Sequence, residues 1–129
     1  MNELTQVDLL NNDSALFNIE FNNLKKFYTF YDENEIWHFI KIHPGISVLL
    51  NEYEKYLKKY FSNAVFELRF DEDCSGTWFD LIVLTVWVDE ETFYNGSMEY
   101  ISKINRELRP LRRKLNLLGE VSLTKRILK

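Results

Sequence analysis

Apolar residues recur along this 129-residue chain with two periods, and each change of period marks an element. The stretch "ALFNIEF" alternates, with Ala15, Phe17, Ile19 and Phe21 on one side and Leu16, Asn18 and Glu20 on the other. That pattern predicts a strand with one buried face. Asn22-Asn23 then offers a turn into a second strand, "LKKFYTFY". The period lengthens at "YDENEIWHFIKIHPG", where Ile36, Ile40 and His43 recur at helical spacing. Asp32 and Glu35 form a capping-box-like pair and Pro44-Gly45 closes the run, which predicts a helix over 33–43. A second helix is expected over 46–61. Its stripe of Ile46, Leu49, Leu50, Tyr53, Leu57 and Tyr60 lies opposite Glu52, Glu54, Lys55, Lys58 and Lys59.

Period two returns in "AVFELRF", with Phe66, Leu68 and Phe70 on one face and Glu67 and Arg69 on the other. The next strand, over 78–88, is apolar on both faces: Phe79, Leu81, Val83 and Trp87 on one, Trp78, Ile82, Leu84, Val86 and Val88 on the other. Such a strand is expected at the centre of a sheet that is covered on both sides, by helices or by a partner. Ser97 offers an N-cap for a last helix over 97–117, whose expected core stripe of Ile101, Ile104, Leu108, Leu111 and Leu115 runs on to Leu118. Pro110 removes one of its hydrogen bonds and predicts a kink or break near Arg106, while Gly119 suits a C′ position. "EVSLTKRIL" closes the chain as a strand with Val121 and Leu123 on one face. The order β(β)ααββα(β) predicts a single α+β domain with a mainly antiparallel sheet around the hydrophobic 78–88 strand.

Composition narrows the class. A chain that is 46% hydrophobic and 16% aromatic is not a disordered one. The longest apolar run, Leu81 to Val88, is far shorter than the ~20 residues a bilayer span needs. The polar, acidic start "MNELTQVDLLNND" does not read as a signal peptide, and one cysteine cannot form an internal disulfide. A cytoplasmic protein with no membrane partner is expected. The net charge of −4 hides a division: residues 1–96 hold 7 Lys/Arg against 17 Asp/Glu, and residues 97–129 hold 9 against 3. The basic end is expected either to lie against the acidic body, its own or a second copy's, or to meet an anionic partner.

Three places invite chemistry. "DEDCSG" has the opening of a calcium loop, with Asp71, Asp73 and Ser75 at ligand positions and Gly76 at the turn. The twelfth position, where such a loop needs a bidentate Glu, is Ile82, so a hairpin turn competes with a divalent-cation site. Cys74 sits among Asp71, Glu72 and Asp73, whose charges oppose a thiolate, and is no nucleophile. His38 and His43 stand five apart on a helix, the wrong spacing for two ligands on one face; His43 is expected at a helix end. No phosphate-cradling, dinucleotide or nucleophile-elbow motif is present, and no cofactor is expected.

The strongest remaining signal is "KINRELRPLRRKLN". Lys103, Arg106, Arg109, Arg113 and Lys114 line one flank of the last helix, with Arg112 at its edge. Such a stripe suits either an acidic protein surface or the phosphates of a nucleic acid. A sequence pI near 5.2 counts against nucleic acid.

The span from "FIKIHPGISVLLNEYEKYLKKYFSNAVFELRFDED" to "FDLIVLTVWV" resembles a diffuse group of small uncharacterised bacterial proteins. It carries their helix–proline step–helix ending "KYF", then a strand, an acidic turn and a second strand. Pro44, Leu49, Leu50, Lys59, Tyr60, Phe61 and Asp71 stand in the matching places. The resemblance implies an α+β fold and no activity. The expected function is a non-enzymatic protein-interaction module, able to pair with its own copy through an uncovered sheet face or by joining acidic to basic ends. Nucleic-acid association through the basic helix and a cation site at 71–76 are the alternatives.

Overall fold

The computed structural model describes residues 6–72 and 80–128 of the chain. Its elements run α1 (Gln6–Phe27), β1 (Thr29–Phe30), α2 (Glu33–Ile42), α3 (Gly45–Tyr60), β2 (Val65–Asp71), β3 (Leu81–Val88), α4 (Glu90–Tyr94), α5 (Ser97–Lys114) and β4 (Val121–Ile127). The fold is α+β, as the order of elements predicts. The four strands lie in the order β1-β2-β3-β4. The β2/β3 hairpin is antiparallel, but β1 joins β2 and β4 joins β3 in parallel, so the sheet is mixed rather than mainly antiparallel. The reason is connectivity: helices separate β1 from β2 and β3 from β4, and a helical crossover returns the chain in the same direction.

The first two expected strands are instead one helix and a two-residue strand. Phe17, Phe21, Leu24 and Tyr28 recur at i, i+4, i+7 and i+11, and this stripe faces the core. Ile19, which the alternating pattern placed beside them, points to solvent at 57% exposure, as does Leu16. The Tyr28 hydroxyl, just past the end of α1, donates to the Leu50 carbonyl at 2.6 Å. Burial, with Glu54 and Tyr53 nearby, pushes that hydroxyl far above the ordinary tyrosine range.

The two consecutive helices form where expected. Asp32 stands at the N-cap of α2 but in a left-handed conformation, and its side chain makes no capping bond. Lys25 at the end of α1 pairs with Glu33 in the first turn. All of the α3 stripe is buried except Tyr60, which is half-buried.

α5 runs as one continuous helix through Pro110 and does not break there. Its start is set by Gly96 at φ 103°, and Ser97 spends its hydroxyl on the Phe93 carbonyl of α4 at 2.6 Å rather than on a cap. Its end is set by Asn116 at φ 57°, not by Gly119. Asn116 N–H donates to Arg113 O at 3.1 Å and Leu117 N–H to Arg112 O at 2.8 Å. That pair of bonds is the Schellman arrangement, with Asn as the left-handed residue.

β3 lies inside the sheet as expected, but only one of its faces is covered by helices. Ile82, Leu84, Val86 and Val88 are buried in the core against α1, α2, α3 and α5. On the other face Leu81, Val83 and Trp87 remain half-exposed, and Glu67 and Thr85 are shielded by their neighbours on the sheet. Helices therefore cover one side only, which corrects the expectation of cover on both sides as far as helices are concerned. The expected Trp78 and Phe79 lie outside the described residues.

Candidate functional site

α5 packs against α3 and β4 through Ile101, Ile104 and Leu108. The 100° step of a helix then turns Arg106, Arg109 and Arg113 to the opposite side within an arc of about 60°. All three are exposed, as are Lys103 and Lys114. Among the described residues none of these five cations belongs to an ion pair. Among the described residues, then, the exposed cations of the basic helix are not paired with the acidic body of their own chain. Lys103 instead lies over the Tyr60 ring at 5.5 Å.

Arg112 differs from its neighbours. It is half-buried, and its guanidinium donates from Nε to Leu117 O at 3.2 Å, from Nη1 to the Tyr53 hydroxyl at 3.2 Å and from Nη2 to Val121 O. These bonds tie the end of α5 to α3 and to the start of β4. All three acceptors are neutral, so the charge itself is not cancelled. Burial pushes the Tyr53 hydroxyl above the ordinary range, and the Arg112 charge offsets part of that rise.

Asn105, Arg109, Arg112, Arg113 and Leu118 together line a depression of about 330 Å³. Among the described residues no acidic one lines it. The Oδ1 atom of Asn105 is shut off from solvent and has no hydrogen-bond partner. The sequence stripe included the arginines but not Asn105 or Leu118, which join them only because the Schellman turn folds the chain back beside α5.

At the other end of the molecule, Asp71 is half-buried as the last residue of β2, opposite Leu81. Asp73 and Ser75 lie outside the described residues. Asp71 shares a shallow depression of about 260 Å³ with Asp32, Glu35 and Glu72. Among the described residues no three potential ligands are grouped closely enough to hold a metal ion. His38 is exposed and His43 forms the C-cap of α2.

The uncovered sheet face, expected from the sequence only as a route to self-pairing, carries residues that the sequence reading did not single out. Glu67, Thr85, Trp87, Thr124 and Arg126 border a hollow of about 540 Å³ on it. Trp87 Nε1 donates to Glu67 Oε2 at 3.2 Å, Arg69 Nη2 lies 3.4 Å from Glu67 Oε1, and the Thr85 and Thr124 hydroxyls meet at 3.3 Å. Charge at Glu67 and Arg69 on one side of β2 was the signal that this face is not a second core. Beyond β4 no further strand pairs among the described residues. Lys125 turns toward the helices, where it donates to Phe93 O and Ser97 Oγ, both at 2.9 Å. An inward charge on an edge strand discourages edge-to-edge pairing.

No family model, no curated protein and no solved structure matches this chain. No helix among the described residues is long and apolar enough to cross a membrane.

Proposed function

We propose that this chain is a non-enzymatic, cytoplasmic protein-interaction module that docks an acidic surface of a partner protein on the outer face of α5. The observation that carries this reading is the set of exposed arginines at 106, 109 and 113, none of them paired with an acid among the described residues. Unpaired like charges crowded on one face repel each other, and an acidic partner relieves that repulsion. A second copy is one such partner, since the Asp32, Glu35, Asp71 and Glu72 cluster presents the complementary charge. Nucleic acid is the weaker reading, because a body of net charge −4 repels a long polyanion.

The test is fluorescence anisotropy with labelled poly-glutamate, a short RNA and a DNA duplex, at low and physiological salt, beside sedimentation velocity for self-association. Binding of poly-glutamate that weakens with salt, and is lost when Arg106, Arg109 and Arg113 are all changed to Glu, supports the reading. Tighter binding to RNA or DNA moves the chain to the nucleic-acid class. The reading falls if poly-glutamate does not bind at low salt and the protein sediments as a monomer.

A further inference from the structure

We propose that the depression lined by Asn105, Arg109, Arg112, Arg113 and Leu118 is an oxyanion pocket that seats a phosphomonoester carried on the partner protein. The inference rests on reading the α5 face as a binding surface and names what anchors there.

Three arginines border one small hollow of about 330 Å³, and no acidic residue lines it among the described residues. A glutamate or aspartate side chain brings one negative charge and two oxygens, enough for one guanidinium fork. A phosphomonoester brings a charge of about −1.5 to −2 and three strong acceptor oxygens, so each arginine finds its own. All three cations are arginines rather than lysines, and planar forks match phosphate geometry where ammonium groups do not.

The pocket is also partly preorganised. Arg112 is held by Leu117 O, the Tyr53 hydroxyl and Val121 O, which leaves two of its five N–H groups for a ligand. Its half-buried charge lacks an acid partner among the described residues, a costly state that an arriving dianion corrects. Arg109 and Arg113 are exposed and close from the rim. Asn105 lines the hollow beside the arginines, and its side-chain amide nitrogen is a neutral donor suited to a phosphate oxygen. Leu118, 68% exposed, offers aliphatic contact at the edge. Among the described residues no aromatic one lines the hollow, so they offer no platform there on which a nucleic-acid base would stack.

The test is a titration of the ¹⁵N-labelled full chain at constant ionic strength with phosphoserine, then glutamate, then a short phosphoserine peptide and its glutamate counterpart. The side-chain amide of Asn105 and the Nε–H of Arg112 serve as reporters. Phosphoserine is expected to shift both signals while glutamate leaves them in place, and the phosphopeptide should bind at least about tenfold more tightly than the glutamate peptide. Arg109→Gln and Arg113→Gln, both at exposed positions, should each weaken phosphopeptide binding by about tenfold, whereas Arg106→Gln, on the same docking face but outside the hollow, should weaken it by clearly less, about threefold. Equal response to phosphoserine and glutamate overturns the pocket. So does equal loss from Arg106→Gln and Arg113→Gln, which would leave a diffuse basic face that still docks poly-glutamate. A short RNA that binds more tightly than the phosphopeptide overturns the partner class. Failure of poly-glutamate as well removes the docking surface altogether.

Discussion

α3 and α5 are neighbours of similar length, each with one apolar stripe and one charged face, yet they treat their charges differently. On α3 the cations meet acids of the same helix: Lys55 lies 2.8 Å from Glu52 and Lys58 lies 3.2 Å from Glu54. On α5 the outward arginines follow one another at i+3 and i+4 with no acid between them in space among the described residues. The first pattern balances a solvated surface. The second stores repulsion, which is useful only if something outside the fold cancels it. The inner stripes of the two helices hold the fold; the outer face of α5 is where function is expected.

The widest test of that division is to break the shared seam. Ile104 is fully buried between α5 and the core. Ile104→Ala should cost about 2–5 kcal/mol through lost burial and the cavity left behind, read as a lower midpoint in urea. The matching change on the outer face, Arg106→Ala, should move stability by no more than about 0.5 kcal/mol. Equal costs would mean that α5 has no functional side distinct from its structural one.

Arg112 sits on the border between the two roles. Arg112→Ala leaves Leu117 O, Val121 O and the Tyr53 hydroxyl without that donor, at a cost of about 2 kcal/mol. Tyr53→Phe should cost about 1 kcal/mol, and the double variant less than the sum, because one hydrogen bond is counted in both singles. Strict additivity would show that the Arg112–Tyr53 contact contributes nothing to joining α5 to α3.

Much of this comparison is visible in the sequence, and the rest is not for identifiable reasons. The α3 stripe and the α5 stripe are long amphipathic runs, and both helices form where the 3.6 period places them. "ALFNIEF" misleads because its alternation spans only seven residues, while the competing spacing of Phe17, Phe21, Leu24 and Tyr28 extends over three turns. β3 is apolar on both faces, but its open side is shielded by Glu67, Arg69 and Arg126 on the neighbouring strands rather than by helices. Strand register decides that, and no local pattern contains it. The arginines of α5 are legible as a stripe. The pocket is not, because it depends on Asn116 turning left and bringing Leu118 back beside Asn105.

The seam between the helices also predicts a response to alkali. Burial holds the Tyr53 and Tyr28 hydroxyls above their ordinary values in the folded chain. An acid whose folded pKa is raised binds its proton more tightly when folded. Its contribution is therefore whole below the unfolded value near 10 and is lost as pH climbs above it. Thermal midpoints should stay level toward pH 9 and fall beyond about pH 10, and the fall should be shallower in Tyr28→Phe and in Tyr53→Phe. An unchanged alkaline slope in both variants would place the titrating groups elsewhere.

The smallest effect carries the sharpest sign. On α3, Lys58→Ala removes a favourable i, i+4 pair with Glu54 and should lower stability by about 0.3–0.5 kcal/mol. On α5, Arg109 stands three residues after Arg106 and four before Arg113, so Arg109→Gln removes two unfavourable neighbours while keeping a good helix former. Its stability should rise by about 0.2–0.5 kcal/mol, and the gain should shrink as salt is added. The same variant is expected to lose affinity for the phosphopeptide, so one substitution would raise the midpoint in urea while weakening binding. A stability loss from Arg109→Gln that matches that of Lys58→Ala would mean that α5 uses its charges as α3 does, and the contrast on which the docking surface rests would be gone.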